Sequence, residues 1–185
     1  MTDAEIAARS GLPEAVIYAI RMVESAGRDP HAMRFEPHLF RRARPDLADR
    51  IPYTDSDGDG PSHVDRVAAH TDVAAFERAL RLDADAAVRS TSWGAYQVLG
   101  GVLLDVVGLP PREAYEAFRR DPDGYSGPCL LAWIQRNPRV RQPAKASPPD
   151  FAGIAKAYNG AGAAPKYAER LEHHWREWHA QRDAD

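Results

Sequence analysis

The 185 residues carry 24 Lys and Arg against 27 Asp and Glu, a net charge of −3, with 44% apolar and 28% charged residues. This size and balance read as one globular domain, 1–185, large enough to bury a core, and the acidic excess argues against a general polyanion binder. A single cysteine, Cys129, excludes an internal disulfide framework and any multi-cysteine metal site, and no apolar run is long enough to span a membrane.

Residues 3–10 read as a short helix capped by Thr2 or Asp3, with Gly11 as its breaker. Residues 12–27 read as an amphipathic helix, with Pro13 in its first turn and Gly27 as its stop. Val16, Ile20 and Val23 fall at i, i+4, i+7, and Ile17, Ile20 and Glu24 at i, i+3, i+7, so Glu24 continues an apolar stripe. Burial and the negative end of the helix dipole both disfavour a charged carboxyl there, and a carboxyl kept protonated near neutral pH is what a general acid requires. The plainer reading is a glutamate reaching solvent from a helix end. The spacing of Ala7, Gly11 and Ile17 also fits a helix-turn-helix, yet the second helix offers only Glu14, Tyr18 and Arg21, a poor set for phosphates and base edges. An ordinary helical hairpin is the expectation, with no nucleic acid as partner.

Residues 33–40 suggest a short extended piece turning into a helix at Pro37, with Glu36 and His38 among Phe35, Leu39 and Phe40. The arginines at 41, 42 and 44 read as a solvated face with acidic neighbours. Residues 52–63 form a polar loop in which Asp55, Asp57, Asp59 and Gly60 mimic the first half of a calcium-binding loop, but Arg66 stands where the closing glutamate belongs. A surface loop is the expectation.

Residues 71–82 read as a helix capped by Thr71 with Val73, Phe76 and Leu80 on one face, and 83–89 as a second short helix. The run Ser90-Thr91-Ser92-Trp93-Gly94-Ala95-Tyr96-Gln97-Val98-Leu99-Gly100-Gly101 mixes small polar residues, two aromatics, an amide and glycines. Such a mixture suits a loop where backbone approaches a ligand and aromatic faces stack on it, and equally a helix start with Trp93 in the core. Residues 111–120 and 123–137 look helical, the second with Cys129 or Leu130, Trp133 and Ile134 on one side. Residues 136–149 read as a proline- and charge-rich connection. A helix over 149–158 ends at Asn159-Gly160, and 165–182 is a last helix with Tyr167, Leu171, His174 or Trp175, and Trp178 along one side. The histidines 173, 174 and 179 show no partner group at metal-binding spacing and read as a wet face.

Val23-Glu24-Ser25-Ala26-Gly27, the Ser90 to Gly100 run and Ala157-Tyr158-Asn159-Gly160 occur in that order. Together they resemble the N-acetylmuramidase family of phage endolysins and related wall-degrading proteins. Phe35-Glu36-Pro37-His38 is similar to that family's Phe-Glu-Arg-His segment. The wider order is also similar to goose-type lysozymes and soluble lytic transglycosylases. The resemblance implies a lysozyme-like fold: mainly α (α+β), two lobes around a cleft, and a small hairpin or sheet.

It also implies a substrate, the peptidoglycan glycan strand, cleaved between N-acetylmuramic acid and N-acetylglucosamine without a cofactor or metal. Glu24 would be the general acid and Glu36 the candidate second carboxylate, as base or electrostatic stabiliser. Ser92, Trp93, Tyr96 and Gln97 would hold sugars, and Tyr158 and Asn159 would position Glu24 or bond an acetamido group. Alternatives are a lytic transglycosylase forming anhydro products and a non-catalytic glycan-binding module. The N-terminus lacks a basic stretch followed by an apolar core, so the expectation is a monomer made in the cytoplasm without a signal peptide and acting on the periplasmic or extracellular wall. It would be an endolysin or a secreted toxin, the latter with an immunity protein as partner.

Overall fold

In the computed structural model, which describes residues 1–25, 32–51, 69–162 and 164–183, the first helix starts at a capping box. The Thr2 hydroxyl accepts from the Glu5 amide and the Glu5 carboxylate accepts from the Thr2 amide. Helix α1 (Asp3–Ser10) ends at Gly11, whose left-handed φ of 69° closes the turn. Helix α2 (Glu14–Ser25) follows. Its first carbonyl acceptor is that of Pro13, which serves Val16 and Ile17, so Pro13 stands just outside the helix instead of within its first turn. Gly27 lies outside the described residues, as does the whole aspartate loop with Asp55, Asp57 and Asp59.

The apolar stripe of α2 is fully inward: Val16, Ile17 and Ile20 are 0–1% exposed and Val23 is 5%. One flank of α2 meets α1, and another is covered along much of its length by the last helix, α11 (Ala164–Arg182). Strand β1 (Met33–Phe35) and helix α3 (Pro37–Ala43) occur where the extended-then-helical reading puts them, with Pro37 opening the helix. A 3₁₀ turn (Pro45–Arg50) follows, and then α4 (Ala69–Leu82) and α5 (Ala84–Arg89). Thr71 lies within α4, two residues past its start. The buried face of α4 is Phe76, Ala79 and Leu80, at i, i+3, i+4, whereas Val73 is 39% exposed. Asp83 caps α5 by accepting from the Ala86 amide, and Arg44 reaches it together with Asp46.

The run from Ser90 to Gly101 becomes neither a loop nor a helix start alone but a hairpin leading into a helix. Strand β2 (Thr91–Trp93) turns through residues 94–97 into β3 (Val98–Leu99), and α6 (Gly100–Val107) starts at once. The sheet order is β1-β2-β3, antiparallel throughout, with Arg34 opposite Ser92 and Ser92 opposite Leu99. The turn uses two left-handed residues, Gly94 at φ 72° and Gln97 at φ 48°. Glycine is needed at 94 for space as well, since a Cβ there would lie 2.1 Å from Ser126 Oγ.

Helices α7 (Pro111–Arg120) and α8 (Pro122–Arg136) agree with their periodicity, and Cys129, Leu130 and Ile134 of α8 are 0–2% exposed. The expected connection over 136–149 is partly helical: a 3₁₀ turn (Pro138–Val140) and α9 (Arg141–Lys145) bury Val140 and Ala144 completely. Pro138 begins the turn, where a missing N–H costs nothing. Asp150 then caps α10 (Phe151–Asn159) through the Gly153 amide, and α10 packs on α11.

Candidate active site

Glu24 is the penultimate residue of α2, placed there by the stripe that buries Val16, Ile20 and Val23. Its surroundings come from three separate parts of the chain. From α11, the Tyr167 hydroxyl donates to Glu24 Oε1. One turn along the same helix, Arg170 Nη2 donates to the Val23 carbonyl at 2.6 Å, satisfying one of the carbonyls that α2 leaves open at its end. From β1, Arg34 lies close enough for its charge to act on the Glu24 carboxyl.

Burial is the largest influence on Glu24 and raises its pKa above the usual carboxylate value of 4.5. The Tyr167 hydrogen bond and the charges of Arg34 and Arg170 pull the other way without cancelling it. Desolvation makes the group hold its proton more tightly than a free carboxyl, and a hydroxyl and two guanidinium groups stand ready for the carboxylate formed when the proton leaves. That combination suits proton donation to a leaving group.

Behind Tyr167 stands Tyr158 of α10, with the two rings stacked at 6.0 Å and an interplanar angle of 18°. Trp133 packs on the other ring at 4.5 Å. The Tyr158 hydroxyl donates to the Tyr96 carbonyl at 2.6 Å, which ties α10 to the hairpin turn. Burial raises the pKa of Tyr158 and of Tyr167 well above 10, with the nearby Glu24 charge acting in the same direction, so both phenols remain donors at neutral pH. Gln97 fastens the same turn, its Nε2 donating to the Gly94 carbonyl at 2.9 Å and to the Ala32 carbonyl at 3.4 Å.

Other expected site residues are elsewhere. Trp93 is 1% exposed, enclosed by Phe76, Tyr115 and Phe118, with Nε1 donating to the Val88 carbonyl. A ring sealed on its faces cannot stack on a sugar, so the expectation for Trp93 is corrected to a core role. Tyr96 is corrected in the same way: it is 3% exposed and its hydroxyl donates to Asp3 Oδ1 at 2.6 Å. Ser92 is 8% exposed at the centre of the sheet. Asn159, the last residue of α10, is exposed. Glu36 is largely buried, at 13% side-chain exposure, and is clamped by Arg34, whose Nε donates to Oε1 at 2.6 Å; His38 Nδ1 is 3.7 Å from Oε2.

Tyr167, Arg170 and Arg34 escaped the sequence reading. Tyr167 had a readable signal: a tyrosine on the apolar stripe of a helix needs a polar partner for its hydroxyl once buried. A separate groove of about 380 Å³ opens between the start of α1, the flank of α2, the hairpin turn and the start of α8, lined by Asp3, Glu14, Arg21, Tyr96, Asp123 and Ser126 and by none of Glu24, Tyr158 and Tyr167.

The sequence model of the family described as Muramidase (N-acetylmuramidase) matches residues 13–179. Among solved structures, the crystal structure of the Burkholderia AP3 phage endolysin matches with a TM-score of 0.67 and 22% sequence identity, covering 100% of this chain and 70% of that one. At this identity the likeness is one of fold, and the fold is lysozyme-like: mostly helical with a small three-stranded sheet. No curated protein sequence matches the chain.

Proposed function

The chain belongs to the N-acetylmuramidase family, which makes it a peptidoglycan hydrolase of the lysozyme type, and we propose that it cleaves the glycan between N-acetylmuramic acid and N-acetylglucosamine with Glu24 as general acid. The observation that carries this reading is the Glu24 carboxyl itself, its pKa raised by burial while a hydroxyl donor faces it. As the glycosidic bond breaks, Glu24 gives its proton to the leaving oxygen and the sugar ring takes on oxocarbenium character. The carboxylate left behind is stabilised by Tyr167, Arg34 and Arg170. Asn159, exposed next to Tyr158 at the end of α10, supplies an amide for the acetamido groups of the sugars, while Gln97 holds the neighbouring turn in shape.

Glu36 is bonded to Arg34, whose Nε donates to its Oε1. Its part in this reading is to hold Arg34 beside the acid. That pairing favours a second reading, in which Glu24 works alone and the substrate's own hydroxyl attacks, as in a lytic transglycosylase. The remaining proposals follow from the substrate: one catalytic domain over 1–185, acting as a monomer on the wall, delivered as an endolysin or as a secreted toxin with an immunity protein.

The test is release of soluble fragments from purified peptidoglycan. Glu24→Gln, which keeps the shape and an oxygen for Tyr167, should lower the rate by roughly 10²–10⁴-fold, with an unchanged circular dichroism spectrum. Retained activity in that variant would sink the assignment. Mass spectrometry separates the two readings, because an anhydro product is lighter than the hydrolysis product by one water.

A further inference from the structure

One turn of α11 carries three ligand-type side chains. His173 and Glu177 are four residues apart and His174 and Glu177 three, spacings that bring side chains together on a helix. Glu177 is the partner group that the histidine spacing alone did not suggest. His173 Nε2 lies 3.2 Å from Glu177 Oε1, and His174 Nδ1 lies 2.7 Å from Oε2. The three ligand atoms are all within 4.8 Å of one another. The neighbouring cation, Arg176, turns instead to Glu172, with Nη2 and Oε1 2.5 Å apart.

Burial is graded across the group. The His174 side chain is 18% exposed, Glu177 41% and His173 65%. One ligand is thus held by packing while another is free to rotate. We propose that His173, His174 and Glu177 form a binding site for one first-row divalent cation of the zinc class. Two imidazole nitrogens and one carboxylate match the preference of such ions, whereas calcium and magnesium ask for oxygen alone. Ligands at about 2.0–2.2 Å from a tetrahedral centre lie roughly 3.4 Å from each other. The group therefore has to close by little more than about 1 Å, within the reach of a half-exposed side chain, and water completes the coordination.

The ion would staple the turn that follows Tyr167 and Arg170. His173 is six residues beyond Tyr167, about 9 Å along the helix axis. The site is thus separate from the acid, and its existence does not depend on the proposed glycan reaction. Its effect is to stiffen α11, which packs along the helix carrying Glu24.

The experiment uses the full chain without a polyhistidine tag, stripped with chelator. Zinc chloride is titrated by calorimetry, and cobalt(II) is followed by its visible absorption. The expected result is one ion per chain, with a melting temperature that rises with zinc. His173→Ala and Glu177→Gln each weaken zinc binding by roughly tenfold or more, while His179→Ala, whose ring packs on Trp175 and Trp178, leaves it intact. His173 is exposed enough that its removal does not threaten folding. Absence of zinc binding in the parent, binding unchanged in both His173→Ala and Glu177→Gln, or equal competition by magnesium would each overturn the proposal.

Discussion

Glu24 sits between two opposing influences, and the Tyr167 hydroxyl is the one that a single substitution removes most cleanly. That donor favours the ionised carboxyl, so Tyr167→Phe takes away a brake and the Glu24 pKa rises further. The basic limb of the pH–rate profile should move to higher pH, since the acid keeps its proton longer. The rate below that limb should fall roughly tenfold, because the carboxylate formed in the transition state loses a charge-assisted hydrogen bond worth about 1.5–3 kcal/mol at most. A profile that keeps its basic limb in place would show that Tyr167 is packing alone. Glu24 was legible in the sequence as an acid interrupting an apolar stripe. That Tyr167 and Arg170 reach its helix end was not, because hydrogen bonds between residues more than a hundred positions apart leave no local pattern.

Among the elements, the hairpin and the helix that follows it depend on backbone approaching backbone. A Cβ at Gly100 would lie 1.8 Å from the Val88 carbonyl oxygen and 2.7 Å from Trp93 Nε1. Main-chain atoms cannot swing aside, and the Trp93 bond to that same carbonyl would be broken. Gly100→Ala should therefore destabilise by about 2–4 kcal/mol in urea unfolding, with loss of activity only through loss of folded protein. Helix positions followed from periodicity in most of the chain. The sheet register did not, since strands of two or three residues carry too few alternations to declare a face. The 136–149 stretch was hidden by its prolines, which read as a linker, yet Pro138 opens the 3₁₀ turn and Pro143 sits in the single turn of α9.

At the scale of the molecule, Trp93 joins β2 to α4 and α7 through an aromatic cluster with Phe76, Tyr115 and Phe118. Trp93→Ala should cost about 3–5 kcal/mol, a large fraction of the roughly 5–15 kcal/mol that holds such a chain folded. The near-ultraviolet circular dichroism should collapse with it. A sugar-binding tryptophan, by contrast, would lose affinity and keep its stability.

Global stability also carries the signature of the acid. Because the folded chain holds the Glu24 proton more tightly than the unfolded chain does, this residue's contribution is most favourable below the unfolded value near 4.5. It declines as pH rises from there through the raised folded pKa, and above that it is a constant penalty. Glu24→Gln should accordingly melt higher than the parent at neutral and basic pH, with the advantage shrinking as the pH falls through the raised folded value towards 4.5. Equal melting temperatures across that range would mean that the carboxyl is not desolvated.

By itself the sequence determined most of the helices, the family likeness and the place of Glu24 on an apolar stripe, because each is written in short-range spacing: an i, i+3, i+4 stripe, a cap, an ordered set of motifs. Tertiary structure alone decided which aromatics stand near the acid and which are sealed elsewhere in the core. Trp93 and Tyr158 lie in motifs of similar appearance, yet one is sealed among rings and the other backs the phenol that meets the acid. Burial depends on what the rest of the chain packs against a residue, and neither local spacing nor residue type contains that information.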